Sequence, residues 1–265
     1  MSGGARRAEY LEALGIDCWV PRAVPAATAT TEVPSELAPT AAPEPQSVEP
    51  PPSAGAGSAP ERPGAAGAGE AWEQLLAQVR TCTACALHET RTQAVFGVGN
   101  RRAEWMVIGE APGAEEDRRG EPFVGRAGQL LDAMLRSIGL GRETNVYIAN
   151  ILKSRPPGNR DPRPEEVAAC LPYLHRQISL VRPKLLLAVG RIAAQTLLGT
   201  DAPLGRLRGR AHTFGEHNVP LVVTYHPAYL LRSPGEKRKA WEDLKFARSL
   251  FAQLRDPEPN DGHRA

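Results

Sequence analysis

Two short segments of this sequence place one ionisable side chain just after an apolar run. Glu110 lies in the turn GEAPG (residues 109–113), which follows the apolar residues 105–108, and His226 follows the apolar residues 220–224. Apolar runs that end in such turns indicate buried parallel strands, and open α/β sheets bind ligands at the carboxyl ends of their strands. The pattern therefore predicts a site that contains a carboxylate and an imidazole.

Asn150 and the glycine-rich loop of residues 109–128 add polar and aromatic groups to this site. Asn150 lies within the apolar run 147–152, where its amide could cap backbone groups or pair with a ligand edge that offers one donor and one acceptor. The loop could cradle a phosphate or carboxylate, since glycine permits close backbone approach. Within it, Phe123 is either a core residue or a ligand contact, and Glu116 either a solvated charge or a pocket residue.

The four cysteines favour metal or redox chemistry over disulfides. Cys82 and Cys85 form a CxxC pair after a predicted helix, Cys170 is alone on a later helix, and Cys18 lies near the N-terminus. No secretory signal precedes them, so a disulfide framework is not expected. A thioredoxin-like site would place the CxxC pair between a strand and a helix, which is not the pattern here.

The elements that must position these residues alternate between strand and helix. Strands are predicted at 105–108, 146–152, 184–189 and 221–224, and helices at 71–79, 126–138, 164–180, 191–198 and 237–254. This alternation predicts an α/β fold, a three-layer α/β/α domain around a four-stranded, mainly parallel sheet.

Composition divides the chain into four segments. Residues 1–22 are a short amphipathic N-terminal segment, in which residues 8–20 suit a helix that docks on its own domain or on an unknown protein partner. Residues 23–70 are rich in Pro, Ala and Gly and predict a disordered linker, residues 71–254 a single domain, and residues 255–265 a disordered tail. No apolar run reaches membrane-spanning length, so we expect a cytoplasmic protein with no membrane contact.

The net charge is only +2, yet the cationic residues gather in the predicted loops near the site. They could form a groove that tracks phosphates or simply a solvated surface. The clusters are Arg118, Arg119 and Arg126; Lys153, Arg155, Arg160 and Arg163; Arg206, Arg208 and Arg210; and Arg232, Lys237, Arg238 and Lys239.

Taken in order, these motifs closely resemble those of the bacterial and archaeal family 4 uracil-DNA glycosylases over residues 72–253. The resemblance implies catalytic roles for Glu110, which orients or activates water, and for His226, which hydrogen-bonds uracil O2. It implies that Asn150 pairs with uracil O4 and N3–H and that Phe123 stacks on the flipped base. The further residues it implies are Gly109, Ala111 and Glu116 for the pocket, and Arg126, Arg155 and Arg232 for DNA.

The same resemblance implies a 4Fe-4S cluster held by four cysteines. Cys82, Cys85 and Cys170 match three positions, but the loop position that is cysteine in the family is Ser154 here. Iron–sulfur clusters are normally held by thiolates, and a serine oxygen is a harder ligand. Four outcomes stay open: Ser154 or water on the fourth iron, which we favour; Cys18 as fourth ligand; no cluster; or zinc.

The activity implied by the resemblance is that of a monofunctional DNA N-glycosylase, a monomer that flips uracil out of single- or double-stranded DNA and hydrolyses its N-glycosidic bond. Two other classes are weighed against it. One is a non-catalytic protein that binds damaged or single-stranded DNA, which intact Glu110, Asn150 and His226 argue against. The other is an iron–sulfur regulatory protein, which Ser154 argues against.

Overall fold

The computed structural model describes residues 65–255, in which six β-strands form one sheet. The strands are β1 (Val98–Gly99), β2 (Trp105–Gly109), β3 (Val146–Asn150), β4 (Leu185–Val189), β5 (Ala211–Phe214) and β6 (Val219–Thr224). Their order is β1-β3-β2-β4-β6-β5. The central strands β3, β2, β4 and β6 are parallel, and β1 and β5 pair antiparallel at the two edges.

The described residues also form eight α-helices. These are α1 (Ala65–Thr81), α2 (Ala114–Arg119), α3 (Arg126–Ser137), α4 (Pro164–Val181), α5 (Arg191–Leu198), α6 (Leu204–Leu207), α7 (Pro227–Arg232) and α8 (Lys237–Arg255). No helix within residues 65–255 is long and apolar enough to cross a membrane.

Helices cover both faces of the sheet and bury two apolar clusters. Alternate strand residues such as Ile108 and Leu186 pack on one face against α1, α4 and α5. Residues of the opposite parity, such as Val107 and Leu187, pack on the other face against α3, α7 and α8. Strands buried on both faces need apolar residues at every position, which explains the uninterrupted apolar runs of β2 and β4.

This architecture confirms the predicted α/β/α class and all four predicted strands. The sheet is larger than predicted because β1 and β5 extend it at its edges. β1 is only two residues long, and the residues of β5 alternate between exposed and half-buried, so neither carries an apolar run. The first helix begins at Ala65 rather than residue 71. The predictions for residues 1–64 and 256–265 concern parts of the chain outside the described residues.

Candidate active site

The strand order brings three predicted site residues to one edge of the sheet. Asn150 is the last residue of β3, Glu110 follows β2, and His226 lies two residues beyond β6. Because these strands are parallel, their carboxyl ends meet, and all three residues line one cavity of about 400 Å³. Gly190 follows β4 beside His226, and a Cβ atom there would lie 3.0 Å from the histidine Cβ. The absence of a side chain at Gly190 therefore lets the His226 loop approach the sheet.

Asn150 presents a free acceptor to this cavity. Its side chain is buried, and its Oδ1 accepts no hydrogen bond from any residue in the described part of the chain. A Cβ atom at Gly109, the residue opposite Asn150 in the β2–β3 pair, would collide with that Oδ1. An unpaired buried amide oxygen is costly, which favours a ligand-binding role over the alternative of a backbone cap.

Lys153 supports the strand end from behind instead of contacting solvent. It is fully buried, and its Nζ donates to the backbone oxygen of Asn150 at 2.8 Å and to Gln177 Oε1 at 2.6 Å. Burial lowers the pKa of this ammonium to about 7. The expectation that Lys153 belongs to a phosphate-tracking surface is therefore wrong. Lys153 is a loop residue, as its position after an apolar strand suggests, but its side chain folds back into the core instead of reaching solvent.

Two other members of the predicted cationic clusters are also engaged in internal ion pairs. Arg160 pairs with the buried carboxylate of Glu166, and Arg208 pairs with buried Asp243 at 2.7 Å. Each arginine satisfies a carboxylate that would be costly to bury alone. Because both guanidinium groups are paired within the domain, the cationic sequence clusters overstate the charge that is free to meet phosphate.

Glu116 lines the cavity, but its carboxylate is occupied by backbone amides. Oε1 accepts from the N–H groups of Val124 at 3.0 Å and Gly125 at 3.2 Å, and Oε2 accepts from Gly113 at 3.1 Å. Three such bonds join the two ends of the loop that follows β2. Glu116 therefore stabilises the wall of the pocket through the backbone. The sequence alone predicted only a solvated charge or a pocket residue that meets the ligand.

Phe123 forms one wall of the cavity in an unusual backbone conformation. Its φ angle is 57°, in the left-handed region that non-glycine residues rarely adopt. The ring is buried, and its centroid lies 5.5 Å from that of His226 with a 30° angle between the planes. A Cβ atom at Gly109 would lie 2.7 Å from Phe123 Cζ, so that glycine makes room for both the ring and the Asn150 amide.

His226 is held as a neutral ring with a defined tautomer. The backbone N–H of Ala228 donates to Nδ1 at 3.1 Å, so the hydrogen of the neutral imidazole is on Nε2. Burial, with a smaller contribution from Arg232, lowers the pKa of His226 from 6.5 to about 4. Pro227 fixes the turn after the histidine and begins α7. The ring can therefore donate one hydrogen bond without carrying a charge near neutral pH.

Glu110 directly follows the carboxyl end of β2, and its surroundings favour proton uptake. Burial is the main cause that raises its pKa above 4.5; Asp161 raises it further and Arg191 opposes the shift. Asp161 and Arg191 themselves form an ion pair at 2.6 Å. A half-buried carboxyl group with a raised pKa is suited to accept a proton from water during a reaction.

Asp161 and Arg191 were not predicted as site residues, although a signal for Arg191 was present. It is the first residue of α5, directly after Gly190, which follows β4. Glu110 and His226 were predicted because an ionisable residue follows an apolar strand, and Arg191 has the same relation to β4. Asp161 lies in the long loop after β3 and lines the cavity, a placement that only the folded loop reveals.

Of the three predicted DNA-contacting arginines, one lines the cavity and the other two are neighbours of residues that line it. Arg232 lines it, Arg126 precedes the lining residue Ala127, and the Arg155 Nε donates to Asn159, another lining residue, at 2.7 Å. Tyr229 lies in the segment 228–232 that the resemblance implies for DNA contact; it is an exposed aromatic residue of the lining and stacks on Tyr225 with ring centroids 5.1 Å apart. The cavity therefore opens onto a surface with cationic and aromatic groups.

The predicted cluster residues share one corner of the domain. Cys170 lies buried on α4, where Lys153 N–H donates to its Sγ at 3.5 Å, and Cys85 packs against the same apolar cluster. Burial is the main cause that raises the pKa of Cys170, and neighbouring Cys85 and Cys82 raise it further. The three thiols therefore lie close enough to interact electrostatically, and all three are free.

Arg91 connects the fourth position to this corner. Its guanidinium donates to Ser154 Oγ at 2.9 Å and to the backbone oxygen of Cys82 at 2.9 Å. Within residues 65–255 no three His, Cys, Asp or Glu side chains are already arranged to hold a metal ion. The chemistry of the donors suits a cluster at three positions, which carry soft thiols, and supplies a harder hydroxyl oxygen at the fourth.

Fold and site together define an α/β/α domain whose central parallel strands deliver a carboxylate, an amide and an imidazole to one cavity, an arrangement typical of an enzyme. Residues 96–245 match the model of the Uracil DNA glycosylase superfamily. The chain belongs to this superfamily, in agreement with the prediction from the motifs.

Named relatives confirm the more specific prediction of family 4. A Type-4 uracil-DNA glycosylase of Archaeoglobus fulgidus is 44% identical over 179 residues, covering 65% of this chain and 89% of that protein. The Type-4 uracil-DNA glycosylase of Thermotoga maritima is 42% identical over 179 residues, covering 66% and 91%. A Type-5 uracil-DNA glycosylase of Pyrobaculum aerophilum is 30% identical over 146 residues, covering 50% and 64%.

Proposed function

We propose that this protein is a monofunctional uracil-DNA glycosylase of the family 4 type, acting in DNA base excision repair. The observation that carries the proposal is the meeting of Asn150, Glu110 and His226 in one cavity of about 400 Å³. A duplex does not expose the bond to be cleaved, so the nucleotide must rotate out of the stack into this cavity.

Recognition of uracil falls to Asn150 and Phe123. The free Oδ1 of Asn150 accepts the N3–H of uracil, and the amide N–H donates to O4. Cytosine presents the reverse pattern and leaves both groups mismatched, which is a strong basis for discrimination. Phe123 stacks on the base face and contributes affinity that does not depend on base identity.

His226 and Glu110 divide the chemistry between the leaving group and the sugar. As the bond between C1′ and N1 breaks, its electron pair moves onto uracil, and the Nε2–H of neutral His226 stabilises the charge at O2. Glu110 favours the cationic sugar and takes a proton from the water whose oxygen bonds to C1′. The products are an abasic site and a uracil anion, which takes up a proton from solvent to give free uracil.

A lyase step is not part of this mechanism. Such a step needs an amine nucleophile, and Lys153, the lysine of the loop after β3, holds its Nζ against Asn150 and Gln177 inside the domain.

Arg126, Arg155 and Arg232 contact the DNA backbone around the cavity mouth, where they add salt-dependent affinity. The protein acts as a monomer in the cytoplasm, on this proposal, with residues 71–254 as the catalytic domain.

We also propose that the corner formed by Cys82, Cys85 and Cys170 binds a 4Fe-4S cluster, with an oxygen ligand from Ser154 at the fourth iron. When bound, the cluster links α1 to α4 and to the loop after β3 as a structural support. The proposal is supported by three free thiols that lie near one another at this corner and by the resemblance to family 4. Cys18, zinc and an empty corner remain the competing outcomes.

The activity is tested by uracil release from a single-stranded oligonucleotide and from a U·G duplex, with Glu110→Gln as the inactive reference. We expect free uracil and alkali-labile abasic sites from both substrates. A protein that binds these oligonucleotides without releasing uracil would instead support the non-catalytic DNA-binding alternative.

Iron analysis of the same anaerobic preparation tests the cluster proposal. Protein that is free of iron but active would refute the cluster. Iron that is lost only in Cys18→Ala would identify the distant cysteine as the fourth ligand.

A further inference from the structure

Phe123 holds its buried ring at the cavity in a backbone conformation that a phenylalanine does not favour. A non-glycine residue at a φ of 57° is strained, and such strain persists only where the surroundings over-determine it. Other contacts must therefore hold the peptide units on both sides of Phe123. The contacts that do so lie mostly outside the cavity.

Arg142 binds two backbone carbonyl groups of this segment. Its Nη1 donates to the Pro122 carbonyl at 2.8 Å, and its Nη2 donates to the Phe123 carbonyl at 2.7 Å. Nε and Nη2 also donate to Asp132 Oδ1 at 3.1 and 3.0 Å, which fixes the orientation of the guanidinium plane. Only arginine carries enough donors in one rigid fork to bind two carbonyls and a carboxylate together.

Two further features complete the restraint. Glu116 accepts the N–H groups of Val124 and Gly125, the two residues that follow Phe123. A Cβ atom at Gly128 would collide with the Phe123 carbonyl, so only a glycine in α3 allows that carbonyl to turn toward Arg142. The backbone from Pro122 to Gly125 is consequently fixed through its carbonyls on one side and its amides on the other.

We infer that Arg142 is a positioning residue for base binding: it locks Phe123 in its left-handed conformation and thereby places the ring against the flipped uracil. The inference rests on the proposed role of Phe123 as the stacking residue. Arg142 does not line the cavity, so it acts on the base only through Phe123. Asp132 supports it by orienting the guanidinium, and its own side chain is partly exposed.

The test compares the affinity of the protein for two duplexes. One contains 2′-fluoro-2′-deoxyuridine, whose N-glycosidic bond resists hydrolysis, and the other a tetrahydrofuran abasic site with no base to stack. The ratio of the two dissociation constants isolates the contribution of the base. We expect Arg142→Lys and Arg142→Met to reduce this preference for the base about tenfold, a typical effect of losing one base–aromatic contact. Affinity for the abasic duplex should change less than about twofold.

A double-mutant cycle separates positioning from a general structural effect. Phe123→Leu removes the ring, so adding Arg142→Met to it should reduce the base preference no further. Arg101→Met is the matched control, since Arg101 is an ion-paired arginine that does not line the cavity. It should leave the preference unchanged.

The outcomes distinguish the role of Arg142 from that of Phe123. If Phe123→Leu lowers the preference and Arg142→Lys leaves it at the wild-type value, the inference about Arg142 is wrong while the role of Phe123 holds. The inference about Arg142 is also wrong if the Arg142 variants weaken both duplexes equally or if the double variant loses preference additively. If Phe123→Leu keeps the wild-type preference, the proposed role of Phe123 fails and the inference fails with it.

Discussion

Replacing His226 tests whether a neutral imidazole stabilises the departing uracil. His226→Ala removes the single Nε2–H donor, and we expect the single-turnover rate of uracil release to fall by about 10²- to 10³-fold, the usual cost of one such donor. His226→Gln is the matched variant, because its amide can still donate a hydrogen bond. We expect it to recover part of that loss.

The structure also specifies the protonation state that performs this role. With a pKa of about 4, only about one His226 ring in a thousand is protonated at pH 7. The wild-type rate should therefore show no titration near pH 6.5, the ordinary value for histidine. The measurement is rapid-quench kinetics with excess enzyme on a uracil oligonucleotide across about pH 5.5–8.

Two results would refute this reasoning. One is a His226→Ala rate within about threefold of wild type, far from the loss expected for a lost donor. The other is a wild-type profile with a transition near pH 6.5 that disappears in the variants, because a charged imidazolium would then be the active form.

His226 also predicts how the stability of the protein depends on pH. Between about pH 6.5 and pH 4 the unfolded chain takes up a proton at this ring and the folded protein does not, so acidification through this range lowers the free energy of unfolding. The effect of this one group is at most about 3 kcal/mol. Urea unfolding of wild type and His226→Gln should show it, since the variant lacks this dependence.

Three further predictions follow from the site and the cysteine corner. Asn150→Asp replaces a donor by an acceptor and should reduce the rate on uracil relative to cytosine; unchanged discrimination would make Asn150 a structural cap. Asp161→Asn removes a neighbour that raises the pKa of Glu110, so the acid limb of the pH–rate profile should move to lower pH, while Asp201→Asn should leave it in place. Ser154→Cys should raise iron content and oxygen resistance under anaerobic purification, and equal iron in both proteins would contradict an oxygen ligand at that position.

The sequence predicted the central strands well, because a strand that is buried on both faces needs apolar residues at nearly every position. The runs that became β2, β3, β4 and β6 are apolar at nearly every position, and the residues that end them are correspondingly conspicuous. Glu110, Asn150 and His226 were found by this contrast. The edge strands β1 and β5 were not predicted, since short strands with one open edge and partial exposure do not require apolar runs.

Charge patterns were the least reliable part of the sequence reasoning. Lys153, Arg160 and Arg208 lie in cationic segments that look solvent-facing, yet each is used to satisfy an internal oxygen: an amide carbonyl, the Glu166 carboxylate or the Asp243 carboxylate. Long cationic side chains can reach inward or outward from the same backbone position. Which of these occurs depends on a partner that the local sequence pattern does not reveal.

By itself, the sequence determined the order of elements, the strand ends and the kinds of chemical group that they carry, because local patterning and turn residues act over a few positions. Only the tertiary structure decided how those groups are held. In the folded domain, Glu116 accepts hydrogen bonds from the amides of Val124 and Gly125. Arg142 donates to the carbonyl of Phe123, and the N–H of Ala228 fixes the tautomer of His226. Apart from the His226 turn, these contacts join residues eight to nineteen positions apart, and their geometry exists only after the chain between them has folded.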